Sequence, residues 1–335
     1  MIKQGEVHLI FADDRVIVEC FEKDKQRSWY GGIRRLFDLL IAEFSTSGVE
    51  TYVFIPPLVS FSISFFTSMA GVSGAFLLLP FQMSVLGFTT ASVSSTNLLY
   101  NVIGTPGGIY RYMKECRMAW PVALIIIVGI IPGILLGYYL RIKYLPDPRT
   151  FKLFVGMVLM YVAIRLIRDV WTGKGMKAED TPKGTNRVEN MTIGLKKTRF
   201  EFKGVTFSFI TVGLLMLSFV VGIIGGVYGI GGGAIIAPFC ITFFKLPAHA
   251  IAGAVLLGTF TSSTAGVTFY SLIPVHGAVA APDWPLGILF GLGGLLGMYS
   301  GAKLQKNVSE KWIKLILGTV VFIVASRYIL RFFSV

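Results

Sequence analysis

Gly229-Ile230-Gly231-Gly232-Gly233-Ala234-Ile235-Ile236-Ala237-Pro238-Phe239 is the stretch whose reading decides the fold. It lies inside an apolar stretch from about Val205 to Phe244, too long and too broken by glycine for one plain helix. A second stretch, Gly71-Val72-Ser73-Gly74-Ala75-Phe76-Leu77-Leu78-Leu79-Pro80-Phe81, sits inside another apolar stretch from about Tyr52 to Phe88. With Gly71 set on Gly229, Gly74 falls on Gly232, Pro80 on Pro238 and Phe81 on Phe239 without a gap. Two copies of a helix break at membrane depth point to a binding site at the interface of two repeats.

The surrounding composition supports membrane depth. Of 335 residues, 54% are hydrophobic and 15% charged, and the mean hydropathy is +0.70. Several apolar runs reach the roughly 20 residues that cross about 30 Å of hydrocarbon. The formal charge of +13 sits in loops between those runs, which serves topology rather than nucleic-acid binding. Cys20, Cys116 and Cys240 share no metal-like or CxxC spacing, so neither a disulfide framework nor a zinc site is expected. Residues 1–28 are mixed polar and charged, unlike a cleavable signal peptide.

Residues 1–50 read as a polar head. Two short strands joined at Asp13-Asp14 suggest a hairpin, and Ile33, Leu36, Phe37, Leu40, Ile41 and Phe44 recur at the spacing of an amphipathic interfacial helix. The first repeat is expected over 51–171. Its spans run from about Thr89 to Tyr110, Ala119 to Leu140 and Phe151 to Ile167 after the broken segment. Residues 172–203 form a basic polar linker, cytoplasmic by the positive-inside tendency. The second repeat, 204–335, follows its break with spans from His249, Pro285 and Trp312. Gly129, Gly133 and Gly137, and again Gly293, Gly297 and Gly301, make small-residue stripes for close helix packing. One crossing per broken segment gives eight spans and halves of equal orientation, whereas a fold-back gives inverted halves. Arg141, Lys143 and Arg149 oppose the eight-span count, but inversion puts the basic head outside, so loop charges do not decide between the two. Broken helices often accompany inversion, which favours an inverted repeat.

Glycines let a membrane helix unwind only where the bared backbone is buried in protein or lines a polar cavity. The half-helix that restarts there offers free N–H groups and a partial positive end, suited to an anion. The expected site therefore comprises Gly71, Ser73, Gly74 and Ala75 at one break, and Gly229, Gly231, Gly232 and Gly233 at the other. Ser95, Asn97 and Asn101 join it from the span after the first break, and Thr259, Ser262 and Ser263 from the span after the second. Interhelical hydrogen bonding is the competing role for those hydroxyls and amides. Glu115, Asp147, Asp169, Asp283 and Glu310 fall at segment ends or in loops, which removes the usual parts of a cation pump or carboxylate relay. Gly71-Val72-Ser73-Gly74 also matches the GxSG of rhomboid-type proteases. A serine nucleophile needs a histidine in reach, and His249 and His276 lie at boundaries, so no enzyme is expected, and no cofactor.

At these residues the chain resembles the TauE/SafE sulfite-exporter family, the TSUP anion permeases. Gly229-Ile230-Gly231-Gly232-Gly233 through Pro238, the degenerate first copy through Pro80, and the two four-span halves carry the resemblance over about 50–335. Ser73 and Ala75 depart from Gly231 and Gly233. The resemblance implies movement of sulfite, sulfonates such as sulfoacetate, or related sulfur-containing anions, in either direction. The sequence thus reads as an all-α polytopic protein of the plasma membrane, two homologous four-span halves plus a head. Its partners are the lipid bilayer and a small sulfur-containing anion, not nucleic acid. A coupling proton or sodium ion and a homodimer stay open. The alternatives are a transporter of another small anion, or a membrane sensor or scaffold without flux.

Overall fold

A computed structural model describes residues 40–69, 72–171, 187–274, 280–304 and 310–334. Gly71, His8, His276 and the hairpin expected at Asp13-Asp14 lie outside the described residues, as does the side chain of His249. The described chain is mostly helical: α1 Ile55–Met69, α2 Ala75–Ser84, α3 Ser92–Lys114, α4 Trp120–Tyr144, α5 Pro148–Trp171, α6 Thr211–Tyr228, α7 Gly233–Thr242, α8 Ala248–Leu272, α9 Trp284–Leu304 and α10 Glu310–Phe333. Among the described residues six helices are long and apolar enough to cross a membrane: Trp120–Tyr144, Pro148–Arg168, Thr211–Tyr228, Ala250–Leu272, Trp284–Leu304 and Leu315–Phe333. The hydroxyls and amides of α3 keep it out of that set, yet its 23 residues extend about 34 Å.

Five short strands among the described residues correct the all-α expectation. Strands β1 (Ile41–Phe44) and β2 (Val49–Tyr52) pair antiparallel, with Ile41 opposite Tyr52 and Phe44 opposite Val49. The helix expected through Ile33–Phe44 therefore does not include its last four residues. Gly48, at φ +65°, turns the chain back, and Phe44 and Val49 are buried together. Ser47 docks this hairpin: its N–H and Oγ donate to Asp283 Oδ2 at 3.0 and 2.7 Å. Asp283 Oδ1 in turn accepts from Leu286 N at 3.1 Å and caps the start of α9.

The linker is likewise not structureless where it is described. Strands β3 (Val188–Thr192), β4 (Lys197–Phe202) and β5 (Val205–Ile210) form an antiparallel sheet in that order. Lys203 and Gly204 have φ of +54° and +76°, as a two-residue turn of the primed kind requires. Thr198, Phe200 and Phe202 are buried while Lys197 and Arg199 are exposed, so β4 has a period of two.

The glycine stripes set the helix directions. Gly129, Gly133 and Gly137 of α4 meet, in rising order, the backbone at Leu215, Phe219 and Ile223 of α6, so these helices run parallel. Gly293, Gly297 and Gly301 of α9 meet Pro57, Phe61 and Phe65 of α1 in the same way. Gly258 and Gly266 of α8 meet Ile126 and Ile134, so α8 runs parallel to α4; Gly287 and Gly291 meet Leu99 and Ile103, so α9 runs parallel to α3. Gly108 and Gly253, in contrast, meet Leu256 and Tyr112, while Gly266 also meets Leu98, so α3 and α8 are antiparallel. So are α5 and α10, where Gly156 meets Tyr328 and Gly318 meets Leu166. With no Cβ in the way, such helices approach to backbone contact.

The broken pairs double back. Gly233 at the start of α7 lies against Val255 and Thr259, and α7 returns towards the start of α8. Phe209 before α6 meets Phe244 after α7, with ring centroids 6.0 Å apart. Thus α6 and α7 begin and finish at the end of the bundle that carries the sheet, called the linker face. By the same geometry α1 and α2 begin and finish at the opposite end, the head face, where Ser84 Oγ meets Tyr328 Oη at 2.6 Å near the end of α10.

Candidate functional site

Both breaks come together in the interior, joined by two side chains. Asn97 Nδ2 of α3 donates to the Ala75 carbonyl at 3.0 Å and to the Gly229 carbonyl at 2.8 Å. Its Oδ1 accepts from Gln82 Nε2 of α2 at 3.3 Å. Tyr228, the last residue of α6, makes a second tie by donating to the Phe76 carbonyl at 2.9 Å. That carbonyl needs an outside donor, because Pro80 four residues on has no N–H to offer it.

Other carbonyls bared at the second break are met one by one. Ser94 Oγ donates to Val227 O at 3.2 Å, Asn101 Nδ2 to Ile230 O at 3.2 Å, Ser262 Oγ to Gly231 O at 2.6 Å and Tyr270 Oη to Gly226 O at 2.9 Å. Many of the polar side chains therefore serve the acceptors of the unwound backbone. A buried carbonyl left unmet costs about 1–3 kcal/mol.

The donors of the breaks are treated differently. Gly74 caps α2 and Gly232 caps α7, and glycine has no side chain with which to cap either helix start, although the Gly74 backbone hydrogen-bonds the Tyr100 hydroxyl. The first-turn N–H groups of a helix have no partner within it, and the N-terminus carries about half a positive charge. Because α2 runs to the head face and α7 to the linker face, both positive ends converge in the middle of the bundle. Ser73 Oγ and Ser263 Oγ stand beside them, fully buried and without a hydrogen-bond partner. Gln82 Oε1 and Asn101 Oδ1 are likewise buried and unpartnered acceptors.

The sequence-derived residues divide accordingly. Ser73, Gly74, Ala75, Asn97, Asn101, Gly229, Gly231, Gly232, Gly233, Ser262 and Ser263 meet at the breaks. Thr259 borders Gly231 and Gly233, although its Oγ1 donates to Val255 O in its own helix at 2.9 Å. Ser95 turns away and donates to Ala280 O at 2.6 Å. Gln82, Ser94, Tyr228 and Tyr270 were not singled out by sequence. The amide of Gln82 within the apolar α2, and the place of Tyr228 immediately before Gly229, are the signals that mark two of them.

Asp147, Glu115 and Asp283 stand at helix ends. Asp147 Oδ2 accepts from Thr150 N and Oγ1 at 2.8 Å each, capping the start of α5. Glu115, after α3, would be pushed up by partial burial, but hydrogen bonds and charge from Arg117 and Arg111 outweigh this and hold its carboxyl below the usual range.

The sulfite exporter TauE/SafE family model matches residues 57–328, from α1 through most of α10. Two proteins of Bacillus subtilis (strain 168) are similar. The probable membrane transporter protein YunE is 23% identical over 271 residues, covering 78% of this chain and 92% of that protein. The probable membrane transporter protein YjnA is 23% identical over 259 residues, covering 76% and 91%. No solved structure matches the chain. A matched span that contains both breaks, their uncapped half-helices and Asn97 between them places the chain in the sulfite exporter TauE/SafE family of multi-pass plasma-membrane transporters.

Proposed function

We propose that the protein moves a small sulfur-containing anion, sulfite or a sulfonate such as sulfoacetate, through a site between the two breaks. The observation that carries this reading is the asymmetry of hydrogen bonding there. Side chains meet the carbonyls, whereas two helix starts lack side-chain caps. What remains is an N–H-rich, partly positive centre with two free hydroxyls, which favours an oxyanion over a cation. The family description names sulfite, which fits such a centre.

The halves 51–171 and 204–335 read as an inverted repeat. Its support is the opposed direction of corresponding helices, α3 against α8 and α5 against α10, with each half's glycine stripe holding the other half's broken pair. On this reading α1–α2 and α6–α7 are re-entrant hairpins from opposite faces, and six helices cross. Arg111, Lys114 and Arg117, with Arg187, Lys196, Lys197, Arg199 and Lys203, lie on the linker face, which supports a cytoplasmic linker face, with Arg141, Lys143 and Arg149 at the head face as the opposing charges. Rocking one half against the other would open the centre to each face in turn.

The test is uptake into proteoliposomes of sulfite, sulfoacetate, taurine, sulfate and a carboxylate, comparing wild type with Gly232→Leu and Asn97→Ala. Saturable sulfite or sulfonate flux, lost in both variants while they remain folded, is expected. Flux of the carboxylate alone would remove the sulfur substrate and keep the architecture. No flux under an imposed proton or sodium gradient would leave a membrane sensor.

A further inference from the structure

Arg141, in the last turn of α4 on the head-face side of the breaks, is buried to 0% exposure. Among the described residues no carboxylate pairs with it. Its guanidinium lies on the Phe151 ring, Cζ 3.7 Å from the centroid. Nη1 donates to the Leu145 carbonyl, and Nε reaches Ser94 Oγ at 3.5 Å. Nη2 has no partner. Lys143, two residues on, faces outward against Tyr139 and Tyr144, so burial is particular to Arg141.

Ser94 connects this arginine to the second break. Its hydroxyl donates to Val227 O, and its Cα lies 2.7 Å from where a Cβ on Gly229 would sit. Tyr270, which holds the Gly226 carbonyl, packs edge-on to Tyr138 one turn below Arg141, with ring centroids 4.7 Å apart. One residue thus separates a full positive charge from the centre where the half-helices begin.

We propose that Arg141 is an anion-binding position between the breaks and the head face, taking a small oxyanion through its unpaired N–H groups. This rests on the transport reading and deepens it. A buried charge without a counter-ion is costly, and capping Leu145 O requires only one neutral donor. A guanidinium, however, presents paired N–H groups that match two oxygens of a sulfonate or carboxylate. At this end of the bundle a buried cation draws anions towards the breaks and repels cations.

The test uses full-length protein, with sulfite as the probe, comparing wild type, Arg141→Lys and Arg141→Gln. Melting in detergent without sulfite reports the fold, the sulfite-dependent rise in melting temperature reports binding, and proteoliposome uptake gives KM and maximal rate. Arg141→Lys, which keeps the charge and loses the fork, should raise KM about tenfold while retaining most of the rate. Arg141→Gln should lose the sulfite-dependent rise. A merely structural arginine would lower melting in both variants and leave KM unchanged, which overturns the proposal. Wild-type flux with unchanged variant KM removes the Arg141 position and leaves transport standing. Arg141-dependent stabilisation without any flux would remove transport and keep the binding position, and neither response in wild type removes both.

Discussion

At the second break Gly229, Gly231 and Gly232 have φ of +82°, +67° and +80°, whereas at the first Gly74 has φ −74°. The second break thus needs glycine for its backbone path. At Gly74 the first needs it only for room, since a Cβ there would sit 2.7 Å from Tyr100 Oη and 2.9 Å from Ile63 Cγ2. That difference explains why Ser73 can stand where the second stretch has Gly231; at Gly233, which is not left-handed, the constraint is room, since a Cβ there would overlap Thr259 Oγ1. At Gly231 a Cβ would lie 2.5 Å from Ser263 Oγ, while Ser73 has space for a whole hydroxymethyl group. The same spacing in sequence yields a turn of left-handed glycines at one break and a turn carrying the Ser73 hydroxyl at the other.

The comparison breaks most sharply at Gly229. A methyl group there would collide with the Cα and carbonyl of Ser94, backbone atoms that cannot rotate away. The left-handed conformation adds about 1–2 kcal/mol for any L-residue. Gly229→Ala should therefore show the largest effect, with loss of most folded protein on size-exclusion chromatography and no flux from what remains. A variant that melts like wild type would show that the second break does not depend on this path.

Much of the helical frame was legible in sequence because apolar length, glycine stripes and proline positions act locally. The spans after each break match α3, α4 and α5, and α8, α9 and α10, to within a few residues. Whether a broken pair crosses or returns was not legible, since Thr211–Tyr228 is apolar enough to cross and composition carries no direction. The β3–β5 sheet was hidden by its charge: Lys197, Arg199 and Glu201 read as linker, though they alternate with Thr198, Phe200 and Phe202. Within the site, Asn97 and Ser95 looked alike in sequence. Two residues on a helix point to different sides, and only Asn97 faces both breaks. Several hydrogen bonds at the breaks join residues more than 100 positions apart, such as Asn97 with Gly229, which no local pattern encodes.

A smaller effect is expected at Gly74, where the obstacle is the tip of a side chain. Gly74→Ala should lower the melting temperature moderately, and Tyr100→Phe added to it should recover part of the loss by removing the oxygen nearest the new methyl group. Tyr100→Phe alone forfeits the 2.6 Å hydrogen bond with Ser64, worth about 1 kcal/mol, so recovery in the pair would be a clear non-additive signal. Strict additivity would mean that Tyr100 does not limit the space at Gly74, and the distinction between room and conformation would lose one of its two supports.

Ser73→Gly makes the first break resemble the second at this position and should disturb the fold least. Ser73 Oγ makes no hydrogen bond, so its removal leaves no partner unmet. Glycine adds only conformational freedom to the unfolded chain, a cost of about 0.4–1 kcal/mol. Melting without substrate should thus change by little. KM for sulfite should rise if the hydroxyl donates to the anion, and the rise should exceed anything the small stability change could produce. Ser73→Thr, which keeps the hydroxyl, should hold KM nearer to wild type provided the added methyl fits. A fall in stability with unchanged KM would assign Ser73 to the scaffold of the first break and leave the N–H groups of α2 and α7, with Ser263, as the donors to the anion.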